Sequence, residues 1–194
     1  MISPQLQRHF TSQDYLDWER RQETRNEYVN GEIHAMAGAS RNHNLICVNL
    51  TVSLSTQLRG KPCEVYANDM RVKVDETGMY TYPDIVAVCD EPAFEDTQTD
   101  TLLNPLLIIE VLSDSTERYD RGAKFLHYRN LPSLQDYLLV AQHECRVEHY
   151  ARQTDHRWSL TDYQNLDETI VIESIACELR LRDLYARVQM NPQI

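Results

Sequence analysis

The sequence predicts one α/β or α+β domain spanning residues 1–194, and three observations carry that reading. Short apolar runs of strand length alternate with helix-length periodic segments. The 194 residues suit a single core, and no internal repeat or linker divides them. Hydrophobic residues make up 42% of the chain, enough to bury a real core and to exclude a wholly disordered polymer.

The first helix is expected over residues 11–21, opened by Thr11 with Asp14 in its first turn and carrying Tyr15, Leu16 and Trp18 as an apolar face. Residues 26–36 alternate around Asn30-Gly31, a hairpin signal because both central positions of a type I′ turn need positive φ. A second helix follows from Ser40 or Asn42 to about Leu58, with Leu45, Val48 and Val52 at helical spacing, and Gly60-Lys61-Pro62 ends it. Strands are expected over 63–67, 70–74 and 85–89, with a turn at 75–80 and an exposed acidic loop at 90–104.

The run 106–112 reads as a strand buried on both faces, and 119–129 as a short helix ended near Pro132. Further strands are placed at 136–140, 146–150, 158–163 and 170–172, and a last helix at 181–188.

Composition narrows the function classes. No stretch approaches the roughly 18 to 20 apolar residues of a membrane span, and the N-terminal MISPQLQRHFTSQDY lacks the layout of a secretory signal. A cytoplasmic protein is expected. Five scattered cysteines, with no Cys-x-x-Cys pair, predict reduced and mostly buried thiols rather than a disulfide framework or a zinc site. No His-x₃-His or His-Glu-x-x-His pattern supports a zinc hydrolase. The formal net charge of −11 runs against nucleic-acid binding and predicts weak, salt-sensitive contact with any polyanion.

Three residues stand out chemically. Asp84 follows Tyr82-Pro83 at the start of a strand, Glu110 interrupts LLIIEVL, and Lys124 sits on the helix after that strand. An ionised Glu in a buried strand costs several kcal/mol unless a cation or hydrogen-bond donors compensate it. Mg²⁺ favours one or two carboxylates, with water and phosphate in its other positions. Asp84 and Glu110 on adjacent strands are the expected metal ligands. Lys124 would offset charge developing on a phosphate.

In order, the segments NEYVNGE (26–32), His43, YPDIVAV (82–88), LIIEVLSDST (107–116), YDRGAKFLHYRN (119–130) and DYLLV (136–140) resemble the PD-(D/E)XK nuclease superfamily, and within it the Uma-two family of restriction endonucleases. The resemblance covers about Thr11 to Val188. It implies a restriction endonuclease-like fold, a mixed central β-sheet flanked by helices, with Asp84 and Glu110 as the acids of the motif. Where the superfamily usually carries its lysine this chain has Leu112, and Lys124 fills that role from the following helix. Glu27 matches an additional N-terminal acid. The resemblance further implies Mg²⁺, with Mn²⁺ as the alternative ion, DNA cleaved by attack of a metal-activated water, and a homodimer.

Each residue also has a plainer use. Asp84 could cap the turn into its strand, and Glu110 could pair with an arginine. Asp120 and Lys124 could be an ordinary i, i+4 surface pair, and Glu27 a cross-strand partner on an exposed hairpin. His43 could cap or pack at a helix start, or contact metal or phosphate. Tyr128, one turn beyond Lys124, is expected to wall the site. The basic residues Arg118, Arg121, Lys124 and Arg129, with Arg41, Arg71 and Lys73 elsewhere, could hold phosphates or form a solvated face. The rival function is a catalytically silent, nuclease-derived module that binds nucleic acid or protein.

Overall fold

The computed structural model describes residues 9–36 and 38–190; most of the stretch read for a secretory signal lies outside them. Helix α1 (Ser12–Glu19) is opened by a capping box in which Thr11 and Asp14 satisfy each other's backbone N–H groups. Strands β1 (Asn26–Val29) and β2 (Glu32–Ala35) pair about Asn30 and Gly31, both at positive φ. Helix α2 (Arg41–Leu58) takes Ser40 as its N-cap. Strands β3 (Cys63–Ala67), β4 (Arg71–Val74), β5 (Met79–Thr81), β6 (Ile85–Cys89), β7 (Thr101–Leu102) and β8 (Leu107–Leu112) follow.

A helical segment then runs as α3 (Glu117–Tyr119), a π-helical turn (Asp120–Lys124) and α4 (Phe125–Tyr128). Strands β9 (Asp136–Ala141), β10 (Val147–Arg152) and β11 (Trp158–Tyr163) form an antiparallel meander. The hairpin β12 (Thr169–Ile172) and β13 (Cys177–Arg180) and the short helix α5 (Leu181–Leu184) close the described chain.

The central sheet has the order β11-β10-β9-β8-β6-β3, mixed because β8 and β9 run parallel while their neighbours run antiparallel. A second sheet has the order β2-β1-β5-β4-β7. One face of the central sheet packs Ile85, Ile109, Val111 and Leu138 against α2 and the β12–β13 hairpin. Its other face packs Val86, Ile108, Leu112 and Tyr137 against the second sheet and Tyr128. Since strand side chains alternate, Glu110 points toward that second face, between two sheets and a helix.

Several expectations change. Helix α2 buries Ile46, Cys47, Leu50, Leu54 and Leu58, whereas Val48 and Val52 stand 59% and 60% exposed. Two apolar stripes compete on this helix, and the one facing the sheet wins. The expected turn at 75–80 holds as far as Gly78, whose N–H donates to the Val74 carbonyl (2.8 Å) at a φ of +65°. Met79 then begins β5, and Thr101 and Leu102 add a short parallel strand inside the expected loop.

The last helix stops at Leu184, and β13 was not foreseen. The expectation of uniformly reduced thiols is also corrected. Cys63 and Cys89 lie directly opposite across β3 and β6 and form a disulfide, while Cys47, Cys145 and Cys177 are free and buried. Twenty-six residues apart, the pair is visible only once strand register is known. No described helix is long and apolar enough to cross a membrane.

Candidate active site

Strand register brings the two motif acids together. Ile85 pairs with Ile109 across β6 and β8, so one step further the antiparallel register sets Asp84 beside Glu110. Pro83 precedes β6, and the Asp84 side chain continues the ladder in place of backbone: its Oδ2 accepts the Val111 N–H at 2.7 Å. From the α2 side, His43 Nε2 lies 3.2 Å from the same carboxylate. Ser40 fixes that histidine's place by accepting the His43 N–H and donating to Gln142. Asp84 and His43 keep 15% and 14% of their side-chain surface open, whereas Glu110 and Lys124 keep 5% and 6%, so the cluster has a wet end and a dry end.

At the dry end Lys124 gathers the remaining acids. Its Nζ lies 2.9 Å from Glu110 Oε1, 2.9 Å from Glu27 Oε1 and 3.7 Å from Asp120 Oδ1. Tyr128 donates its hydroxyl to Glu110 Oε1 at 2.8 Å. Glu27 arrives from the second sheet, where pairing of Tyr28 with Tyr80 sets it opposite Thr81, and the Thr81 hydroxyl donates to it. The π-helical turn lies between Asp120 and Lys124, and such turns often occur at functional sites because they alter which side chains share a face.

The plainer alternative, a surface pair of Asp120 and Lys124, therefore fails: both are buried, at 3% and 5% exposure. Glu27, whose plainer alternative was a partner on an exposed hairpin, is buried as well, at 8% exposure. Tyr128 does wall the site, and it also bonds Glu110. Of the basic residues, Arg41, Arg118 and Arg129 are exposed, Arg121 pairs with Glu117 and Glu148, Lys73 with Asp75 and Glu95, and buried Arg71 with Asp100.

Burial and charge together set the protonation of the cluster. Three carboxylates (Glu27, Glu110 and Asp120) share the Lys124 ammonium, while Asp84 lies against His43 and the Val111 N–H. Burial is the largest influence on Glu110 and raises its pKa; Lys124 opposes the rise, Asp120 and Asp84 add to it, and the group is pushed up to about 8. Burial also works against the charge on Lys124, but Glu110, Glu27 and Asp120 outweigh it and hold the proton on far above the ordinary lysine range. Asp120 is raised too, chiefly by burial. An acid surplus that lifts a buried carboxyl into the neutral range fits a divalent cation bound at Asp84 and Glu110, since oxygen donors and uncompensated charge are what Mg²⁺ or Mn²⁺ takes up.

Sequence reasoning missed Cys47 and Asp120. Cys47 lies one helical turn after His43, its Sγ 3.5 Å from His43 Nδ1, and the spacing of His43 and Cys47 on one helix was its available signal. Asp120 was read only as a partner in a surface pair.

A mixed sheet carrying paired acids at a strand start and a strand centre, with a lysine brought over them by the next helix, defines a protein of nuclease-like architecture. The chain belongs to the Uma2 family, whose model, described as "Putative restriction endonuclease", matches residues 12–183. Two uncharacterized Synechocystis proteins are similar: slr1290, 39% identical over 173 residues (89% of this chain, 90% of that protein), and sll1609, 40% identical over 152 residues (78% and 86%). A crystal structure described as that of "a putative nuclease belonging to DUF820" from Anabaena variabilis ATCC 29413 superposes with a TM-score of 0.77 at 18% identity, covering 91% of this chain and 98% of that one. At that identity the likeness establishes the fold.

Proposed function

We propose that the chain is a single-domain, divalent-metal-dependent endonuclease that hydrolyses DNA phosphodiester bonds as a cytoplasmic homodimer, with Asp84 and Glu110 holding Mg²⁺ or Mn²⁺. The observation that carries this reading is the surplus of buried carboxylates around Lys124, placed where two β-strands bring the motif acids side by side. A divalent ion held there supplies positive charge for a phosphoryl oxygen and a bound water of lowered pKa.

The chain's own residues have separable tasks. Asp84 is fixed by the Val111 N–H, leaving its carboxylate aligned at the wet end of the cluster. Tyr128 and Lys124 both donate to Glu110 Oε1, which sets the orientation of that carboxylate. Lys124, kept protonated by Glu110, Glu27 and Asp120, sets fixed positive charge directly beside the Glu110 carboxylate. Glu27 is a positioning residue for Lys124. The exposed guanidinium groups of Arg41, Arg118 and Arg129 offer the duplex its first contacts, and a C2 pair of chains would address both strands.

Supercoiled plasmid incubated with metal-free protein, then with Mg²⁺ or Mn²⁺, tests the reading. Nicked and linear products are expected only with the ion and chiefly at low salt, since a chain of net charge −11 binds a polyanion weakly to begin with and added salt weakens each phosphate contact further. Cleavage that persists in EDTA, or its absence with both ions at low salt, would overturn it.

A further inference from the structure

The wet end of the cluster holds donors that a magnesium centre does not use. His43 and Cys47 stand four residues apart on α2, so both project from one helix face toward Asp84 at the start of β6. His43 Nε2 is 3.2 Å from the Asp84 carboxylate, and Cys47 Sγ is 3.5 Å from His43 Nδ1. Among the described residues, these three form the one group of His, Cys and acidic side chains whose donor atoms converge, one from each lying within 4.8 Å of the others.

We propose that His43, Cys47 and Asp84 form a binding site for a thiophilic transition ion of the Zn²⁺ class, with a fourth coordination position left open. Thiolate and imidazole are soft and borderline donors, which Mg²⁺ and Ca²⁺ do not take and which Zn²⁺ and Co²⁺ do. Zinc bonds of about 2.0 to 2.3 Å place neighbouring donors of one tetrahedron roughly 3.3 to 3.7 Å apart. The 3.2 and 3.5 Å contacts run to opposite nitrogens of the His43 ring. With one donor atom taken from each residue the three lie within 4.8 Å of one another, so closing on an ion requires side-chain rotations that draw the Cys47 sulfur and a single His43 nitrogen together by up to about an ångström. Three protein ligands of nitrogen, sulfur and oxygen type leave room for a water or a phosphate oxygen, as in catalytic rather than structural zinc sites.

Hydrogen bonds hold the site in place on two sides. Ser40 and Gln142 fix the helix turn that carries His43, and the Val111 N–H holds Asp84. The same three residues do not make a nucleophilic relay. The Cys47 thiol is buried, and burial followed by the charges of Asp84 and Glu110 pushes its pKa up, whereas an activated thiol needs the opposite surroundings. An ion supplies the charge that turns this thiol into a ligand.

The site shares Asp84 with the nuclease centre, so the inference rests in part on the same residue as that reading, and its test is spectroscopic rather than catalytic. Metal-stripped full-length protein is titrated with Co²⁺ and followed by absorption. One ion per chain is expected, with a thiolate-to-cobalt charge-transfer band in the near ultraviolet and the intense visible bands of tetrahedral cobalt; Zn²⁺ is expected to displace it, and Mg²⁺ is not. Cys47→Ala is expected to lose the charge-transfer band. His43→Gln, which leaves the thiol in place and the helix cap intact, is expected to weaken Co²⁺ binding at least tenfold.

A band that survives Cys47→Ala, or full affinity in folded His43→Gln, would overturn the proposal. A cobalt–thiolate signature in a protein that cleaves no DNA sustains this site and removes the nuclease reading. Metal-dependent cleavage by a protein that never shows that signature does the reverse.

Discussion

Lys124→Ala is expected to destabilise the metal-free protein by about 3 to 5 kcal/mol at neutral to alkaline pH, the cost of leaving buried charge without its partner. Among the described residues, the ammonium is the single cation within 4 Å of Glu27, Glu110 and Asp120 together, and all four side chains are buried. For a chain of this length, that loss corresponds to a fall in Tm of roughly 10 °C. The penalty is expected to shrink on acidification, as the acids take up protons, and to shrink again when a divalent ion is added. DNA cleavage is expected to fall by about 10²–10³-fold, the cost of one electrostatic donor at a developing charge. Thermal melts in EDTA and in Mg²⁺, at two pH values, read the stability side; an unchanged Tm would place Lys124 outside the charge balance described above.

Glu110→Gln is expected to separate stability from activity. In the wild-type, metal-free protein the folded-state pKa of Glu110 is raised to about 8 from an ordinary value of 4.5. The folded state therefore binds the extra proton between those values. The stability this group contributes is fully present below about pH 4.5 and is lost as pH rises through about 8. Glutamine cannot ionise, so the variant is expected to lose this decline and to be the more stable protein at pH 8 in EDTA. It also loses one of the two carboxylates proposed to hold the metal, and cleavage is expected to drop to background at every pH. Denaturant titrations at pH 5, 6.5 and 8 check the first part; parallel pH dependence in wild type and variant would contradict it.

Much of this arrangement was readable in the chain because it rests on local patterns. The Asn30-Gly31 turn, the Ser40 cap, the strand 85–89 and the apolar run around Glu110 each follow from a few neighbouring residues. The two acids and the lysine could be singled out because a charge inside or beside an apolar strand is costly without a partner. What stayed hidden depends on register and on contacts across layers. Nothing local brings Glu27 from a hairpin in one sheet to Lys124 over another, or pairs Cys63 with Cys89.

The buried face of α2 was misassigned because Val48 and Val52 make an apolar stripe as regular as the one the sheet covers. The π-helical turn has no strong sequence signal. It nonetheless decides that Asp120 and Lys124 enter the cluster as buried residues rather than lie along a solvent-facing helix.

The proposed function requires Asp84 and Glu110 to grip one shared divalent ion. Calorimetric titration of metal-free protein with Mn²⁺ tests it most directly, comparing wild type with Asp84→Asn and Glu110→Gln. A binding event present in the wild type and lost in each single variant, with both variants folded, is the predicted result. Binding that survives either substitution undiminished would contradict it.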